Sequence, residues 1–249
     1  MKITTAVILA AGKGRRMKVL GETIPKGFIR LGQKPIIEES VTKLIQCSIS
    51  RIIIVTGHQA QYYESLKKVY PKHIITVHNP EYAKSGNLYS LYCAKDLICD
   101  DFLLLESDLI YEQRALKTVL TFPKANTALL SGFTHATDEV YVKTSGRHIV
   151  ALSKNKSELG SNITGEFIGI CKISVALFQQ LLKTAAQLFK ESLHRDYETD
   201  GLVAVAKKSP IFYTLINDLL WAEIDTETHL LRAKQSIYPA IAEKDSVKK

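Results

Sequence analysis

The runs Ile52-Ile53-Ile54-Val55 and Phe102-Leu103-Leu104-Leu105 are apolar at every position rather than at every second one. Strands of that kind are buried on both faces, so a mostly parallel sheet with helices above and below is the architecture they allow. The surrounding chain supplies those helices. Strand-like residues 5–9, 51–56, 74–78 and 102–106 alternate with amphipathic residues 35–47, 59–69 and 87–97, the rhythm of βαβ units. Beyond about residue 124 the pieces shorten, at 128–133, 139–144, 148–153 and 165–173, which predicts a small antiparallel excursion. Residues 174–191 then carry Phe178, Leu181, Leu182, Ala185, Leu188 and Phe189 at helical spacing, a packing helix. With 249 residues, 46% of them hydrophobic, the chain buries a substantial core. It holds no internal repeat and no linker composition, so it reads as one α/β domain over residues 1–242 with a charged, flexible tail at 243–249.

A formal net charge of +8 suits a nucleic-acid binder and an enzyme with phosphate-rich substrates alike. Distribution separates the two. The one compact basic cluster, Lys13, Arg15, Arg16 and Lys18, lies inside a glycine-rich loop, which favours a phosphate site over a nucleic-acid face. Cys47, Cys93, Cys99 and Cys171 are far apart in apolar stretches and outline neither a disulfide framework nor a zinc pattern; buried thiols in a reducing compartment are expected. The apolar run at 6–11 is short and gives way at once to Lys13-Gly14-Arg15-Arg16, as in a buried strand rather than a signal peptide. No run approaches the ~20 apolar residues that span a bilayer. A cytoplasmic protein with no membrane partner is the expectation. His58, His78, His135 and His194 pair with no other ligand at helical or hairpin spacing and read as loop histidines.

Chemistry concentrates first in Leu9-Ala10-Ala11-Gly12-Lys13-Gly14-Arg15-Arg16-Met17, followed by Pro25-Lys26. A loop after the first strand of an open α/β sheet is where ligands gather, and its paired glycines let backbone N–H groups approach phosphate oxygens. The dinucleotide fingerprint fails because Met17 stands where its third glycine belongs, and no Gly-Lys-Ser/Thr closes a P-loop. Asp108 follows the apolar strand ending at Glu106, and Asp225 lies far off in Trp221-Ala222-Glu223-Ile224-Asp225. An aspartate after a strand, taken alone, reads more often as a turn or a cap.

The loop with its downstream Pro-Lys resembles the signature of the sugar-phosphate nucleotidyltransferase superfamily. Pro25-Lys26-Gly27-Phe28, Thr56-Gly57-His58, Tyr62-Tyr63, Leu103 to Tyr111, Asp138-Glu139-Val140-Tyr141, Leu152-Ser153-Lys154-Asn155 and the Trp221–Asp225 segment are similar to 2-aminoethylphosphonate cytidylyltransferases, with bacterial phosphocholine cytidylyltransferases as close relatives. The resemblance implies a Rossmann-like nucleotidyltransferase fold and transfer of CMP from CTP to a small phosphonate or phosphate ester. It implies Mg2+ on Asp108 and Asp225, with Arg16 and Lys26 stabilising the triphosphate. Leu9, Ala10, Ala11, Gly12, Lys13 and Gly14 would hold the phosphates. Thr56, Gly57, Ser85, Gly86, Asn87 and Glu106 would complete the nucleotide site. A homodimer is a further implication, and nucleic acid is not an expected partner.

An ionised acceptor is its own nucleophile, so direct displacement needs no serine, cysteine or histidine. Lys154 is expected to grip the acceptor's phosphonate. A quaternary ammonium calls for aromatic faces, which Tyr89, Tyr92 and Trp221 offer, and a primary ammonium calls for carboxylates, which Glu166, Asp196 and Glu198 offer. The longer match makes aminoethylphosphonate the leading acceptor and phosphocholine the alternative. A noncatalytic basic binding protein on the same fold is the remoter alternative, and it would have no use for paired metal positions.

Overall fold

A computed structural model of the chain describes residues 2–136 and 139–246, without the side chains of 18–20. Its strands are β1 Thr5–Ala10, β2 Arg51–Thr56, β3 Ile74–His78, β4 Phe102–Glu106, β5 Leu109–Tyr111, β6 Thr127–Ser131, β7 Val140–Ser145, β8 His148–Ser153, β9 Ile163–Ile173, β10 Phe212–Ile216 and β11 Trp221–Glu223. The α-helices are α1 Lys18–Thr23, α2 Ile36–Gln46, α3 Gln61–Val69, α4 Asn87–Cys93, α5 Gln113–Thr121, α6 Val175–Leu188, α7 Val203–Ala206, α8 Glu227–Arg232 and α9 Tyr238–Ser246. Asp138, the side chain of Lys18 and positions 247–249 of the expected tail lie outside the described residues.

Among the described residues nine strands form one sheet in the order β3-β2-β1-β4-β9-β6-β10-β8-β7. The β3, β2, β1 and β4 pairings are parallel, and β9 runs antiparallel to both β4 and β6. Alternation explains the fully apolar strands. Val7, Leu9, Ile53, Val55, Phe102 and Leu104 join α4 and α6 on one face, and Ala6, Ile8, Ile52, Ile54, Leu103 and Leu105 join α2, α3 and α5 on the other. Each second residue changes sides, as the pleat requires, and both sides are covered.

The antiparallel excursion is larger than the sequence suggests. β7 pairs with β8 and returns to pair with the N-terminal half of β9, so β9, β6, β10, β8 and β7 close on themselves beside the open parallel half. The C-terminal segment is also more ordered than a tail: α9 runs to Ser246, and Asp245 accepts from the Gln113 amide at the start of α5 (2.9 Å) and pairs with Lys43 (3.0 Å). Of the four free cysteines only Cys171 is buried, and Cys99 is exposed. Among the described residues no helix is long and apolar enough to cross a membrane.

What positions the site is a small second sheet. β11 pairs antiparallel with β5, setting Glu223 against Leu109, and the Ile224 amide donates to the Asp108 carbonyl (3.0 Å). Two carboxylates from distant sequence thereby meet at the carboxyl end of β4, the edge where ligands of open α/β sheets bind.

Candidate active site

The nucleotide half opens where β1 ends. Leu9 to Gly12, Lys26, Tyr63, Tyr82, Ser85 to Asn87 and Glu106 to Asp108 line an open cavity. Gly14 has φ +62°, a left-handed backbone that turns the loop back, and nothing lies within 4 Å of the place a Cβ on Gly12 would take. The cavity wall is set by close approaches. A Cβ on Gly57 would stand 2.5 Å from Cβ of Tyr82 and 2.7 Å from the Ala11 carbonyl, to which the His58 amide donates. Ser85 and Ser90 both accept from the side chain of Asn79, and Thr56 donates to the Val77 carbonyl. Lys13 sits over the ring of Tyr82.

Gly86 donates to the Leu193 carbonyl (2.8 Å), and a Cβ on it would fall 2.2 Å from the carbonyl oxygen of Arg195. Both partners there are backbone and cannot swing aside. Gly86→Ala is therefore expected to destabilise the fold by about 1–3 kcal/mol, the usual cost of overpacking. A denaturant unfolding curve reads the change; an unaltered midpoint would show that residues 193–195 are free to withdraw.

Next to this cavity lies the charged centre. Lys26 donates to Asp108 (2.7 Å) and to Asp225, and Arg16 donates to the other oxygen of Asp225 (2.6 Å). Glu106, Asp108 and Glu223 each present one carboxylate oxygen, all within 4.8 Å of one another. Burial pushes the carboxyls of Glu106 and Glu223 well above the usual carboxylate range, and the neighbouring charges, Glu198 foremost for the first and Glu106 for the second, push the same way. Burial opposes charge on Lys26 as well, but Asp108 and Asp225 outweigh it and hold the ammonium well above the ordinary lysine range. For Asp225 burial again works against ionisation, yet Lys26 and Arg16 keep its carboxyl below the usual range. Three converging carboxylate oxygens are a donor set suited to a hard divalent cation.

Sequence reasoning pairs Asp108 with Asp225 as ligands; the structure gathers Asp108 with Glu106 and Glu223, and engages Asp225 with the two cations. Glu223 escaped that reasoning although a signal was present, since residues 223 and 225 two apart on an extended segment share a face.

A second cleft adjoins the centre, lined by Lys154, Asp196 and Glu198 together with Val140, Phe167 and Gly169. Lys154 lies 3.6 Å from Asp196 and 3.9 Å from Glu198. Glu198 is almost fully buried, and burial with Asp196 alongside pushes its carboxyl up to about 7. It stands at the start of a π-helical turn, Tyr197–Leu202, a feature frequent at functional sites.

Three sequence candidates for acceptor contacts are placed elsewhere. Tyr89 stacks on Tyr92 (6.1 Å between ring centroids) and both meet Phe189 on the outer side of α4. Glu166 accepts from the amide and hydroxyl of Thr134 and holds the loop after β6. Trp221 donates its indole N–H to Ser131 (2.8 Å) and borders a smaller neighbouring pocket rather than this cleft. His58 and His78 lie beside the Tyr82 ring, apart from the carboxylates.

A glycine loop after β1, cations at its exit and a carboxylate cluster at the end of β4 define a class, enzymes that pass a nucleotidyl group from a triphosphate to an anionic acceptor. Residues 6–166 match the family model of the MobA-like NTP transferase domain, and the chain belongs to that family; it is a nucleotidyltransferase. Over 251 aligned residues it is 28% identical to a 2-aminoethylphosphonate cytidylyltransferase of Lancefieldella rimae, covering 98% of this chain and 89% of that one. A choline-phosphate cytidylyltransferase of Streptococcus pneumoniae is 35% identical over 99 residues, 40% of this chain and 42% of that protein. The solved inositol-1-phosphate CTP transferase from T. maritima superposes with a TM-score of 0.82 at 17% identity, covering 98% of this chain and 96% of its own, a likeness of fold.

Proposed function

We propose that the chain is a cytidylyltransferase that moves CMP from CTP onto 2-aminoethylphosphonate, with Mg2+ held by Glu106, Asp108 and Glu223. One observation carries the acceptor: the cleft beyond the carboxylate cluster presents Asp196, Glu198 and Glu223 around Lys154, whereas Tyr89 and Tyr92 are spent on Phe189. A primary ammonium donates three hydrogen bonds and is satisfied by carboxylates; a quaternary one donates none and is held by aromatic faces. CTP as donor is supported by the relatives, which are named as cytidylyltransferases.

The phosphonate arrives ionised. One of its oxygens attacks the α-phosphorus of CTP; a P–O bond to the acceptor forms, the α–β bridging P–O bond breaks, and pyrophosphate departs with the bonding pair. Held by Glu106, Asp108 and Glu223, Mg2+ would supply positive charge against the negative charge that develops on the triphosphate. The chain's own share is orientation and electrostatics: loop amides at residues 11–14 face the phosphates, Lys26 and Arg16 oppose the growing negative charge, and Lys154 fixes the phosphonate.

A second reading, phosphocholine as acceptor, is favoured by the aromatic faces of the smaller pocket that Phe167, Trp221 and Glu223 border. An acceptor panel separates the two. Protein with Mg2+ and each NTP is offered 2-aminoethylphosphonate, phosphocholine, phosphoethanolamine and a hexose 1-phosphate, and pyrophosphate is measured. CTP with 2-aminoethylphosphonate is expected to lead by at least about tenfold in kcat/KM, the scale set by buried polar groups left unpaired by the wrong ligand. A lead for phosphocholine moves the assignment to the second reading, and release with a different NTP alone ends the cytidylyl assignment.

A further inference from the structure

Asn87, the first residue of α4, borders both the nucleotide cavity and the acceptor cleft. Its side-chain nitrogen donates to Glu106 (3.3 Å) and to Glu198 (3.1 Å), and its oxygen accepts from the Tyr197 amide (2.7 Å). A side-chain amide has two N–H donors, and both are engaged here. A further hydrogen bond from the Asn87 amide to a bound nucleotide would require one carboxylate to be released.

The two carboxylates so joined come from different halves. Glu106 ends β4 in the carboxylate cluster, and Glu198 lies in the first turn of the π-helical segment that walls the acceptor cleft. Both are acceptor-only groups when ionised and repel each other; a neutral amide between them holds the pair without consuming the negative charge that cations in either half need. The mount is rigid. Gly86 and Leu88 on either side of Asn87 donate to the carbonyls of Leu193 and Arg195, so the start of α4 and the segment leading to Glu198 are tied by three hydrogen bonds.

We propose that Asn87 is a positioning residue that couples the two halves: by bridging Glu106 and Glu198 it makes occupation of the nucleotide and metal half set the geometry of the acceptor half, and the reverse. The inference rests on the assignment of the two halves made above. Linkage makes it measurable, because the factor by which nucleotide tightens acceptor binding equals the factor by which acceptor tightens nucleotide binding.

The test is calorimetric. Acceptor affinity is measured with and without saturating Mg2+ and α,β-methylene-CTP, in the parent chain and in Asn87→Asp and Asn87→Ala. Asn87→Asp keeps the shape and the partner of the Tyr197 amide but removes both donors; Asn87→Ala removes everything without adding charge. The parent ratio is expected to be about tenfold, within the usual span of coupling energies, and both variants are expected to fall below about twofold. Because the ratio is taken within one variant, general loosening of the fold does not move it. Ratios left at the parent value in both variants overturn the proposal, as does a parent ratio near one. A tenfold or greater loss of nucleotide affinity without acceptor, in Asn87→Ala, overturns it in favour of direct base contact. Using 2-aminoethylphosphonate and phosphocholine in parallel keeps the acceptor question separate: if only phosphocholine binds the parent chain, the acceptor assignment fails while the coupling is still read.

Discussion

Asp108→Ala is expected to abolish pyrophosphate release, with kcat/KM down by at least about 10³-fold, which corresponds to roughly 4 kcal/mol of lost transition-state stabilisation. The side chain is buried, bonds to Lys26 and shares a 4.8 Å neighbourhood with oxygens of Glu106 and Glu223. Its removal takes away one of three converging oxygens and loosens the Lys26 ammonium. The backbone has no reason to follow, because the contact between β5 and β11 runs through the Asp108 carbonyl and the Ile224 amide, which alanine retains. Far-ultraviolet circular dichroism should therefore be unchanged while a coupled pyrophosphate assay reads near background. Activity above a tenth of the parent value would show that Glu106 and Glu223 hold the cation without it.

The open parallel half of the molecule was legible because its code is local. β1, β2 and β4 alternate between two buried faces, so every position is apolar, and the amphipathic segments between them had nowhere to pack but those faces. The closed half was harder to read for a physical reason. β10 pairs in parallel with β6 across about eighty intervening residues, so although Ile211 to Ile216 form a strand-like run, nothing local in it tells which strand it joins. β11 is only three residues long and exists through its pairing with β5.

The site divides along the same line. The glycine loop and Lys26 sit close in sequence, and their motif was readable; the meeting of Asp108, Glu223 and Asp225 is a product of tertiary pairing. Helix phase could have sorted α4 more finely. Asn87 and Ser90, three apart, border the nucleotide cavity, while Tyr89 and Tyr92, also three apart, lie on the other side against Phe189. Composition alone put all of them into one stretch.

Lys26→Met is expected to lose about 10²–10³-fold in turnover, as when a preorganised donor to a developing oxyanion is removed, and also to destabilise the metal-free protein by about 3–5 kcal/mol, the scale for breaking a buried ion pair. The second effect follows from the company Lys26 keeps. Its side chain is only 17% exposed, it bonds to both Asp108 and Asp225, and the charge of Glu223 bears on it as well. Methionine fills the volume but leaves those carboxylates facing one another. A ligand that binds the folded state alone stabilises it in proportion to the logarithm of its occupancy, and a divalent cation meets less opposing charge once the ammonium is gone. Mg2+ should accordingly raise the melting temperature of Lys26→Met by more than it raises that of the parent chain, although activity stays low in both conditions. A metal-free variant as stable as the parent would mean that the carboxylates relieve their repulsion by keeping protons. Glu106 and Glu223, already pushed upward by burial and by neighbouring carboxylates, are the groups that would hold them.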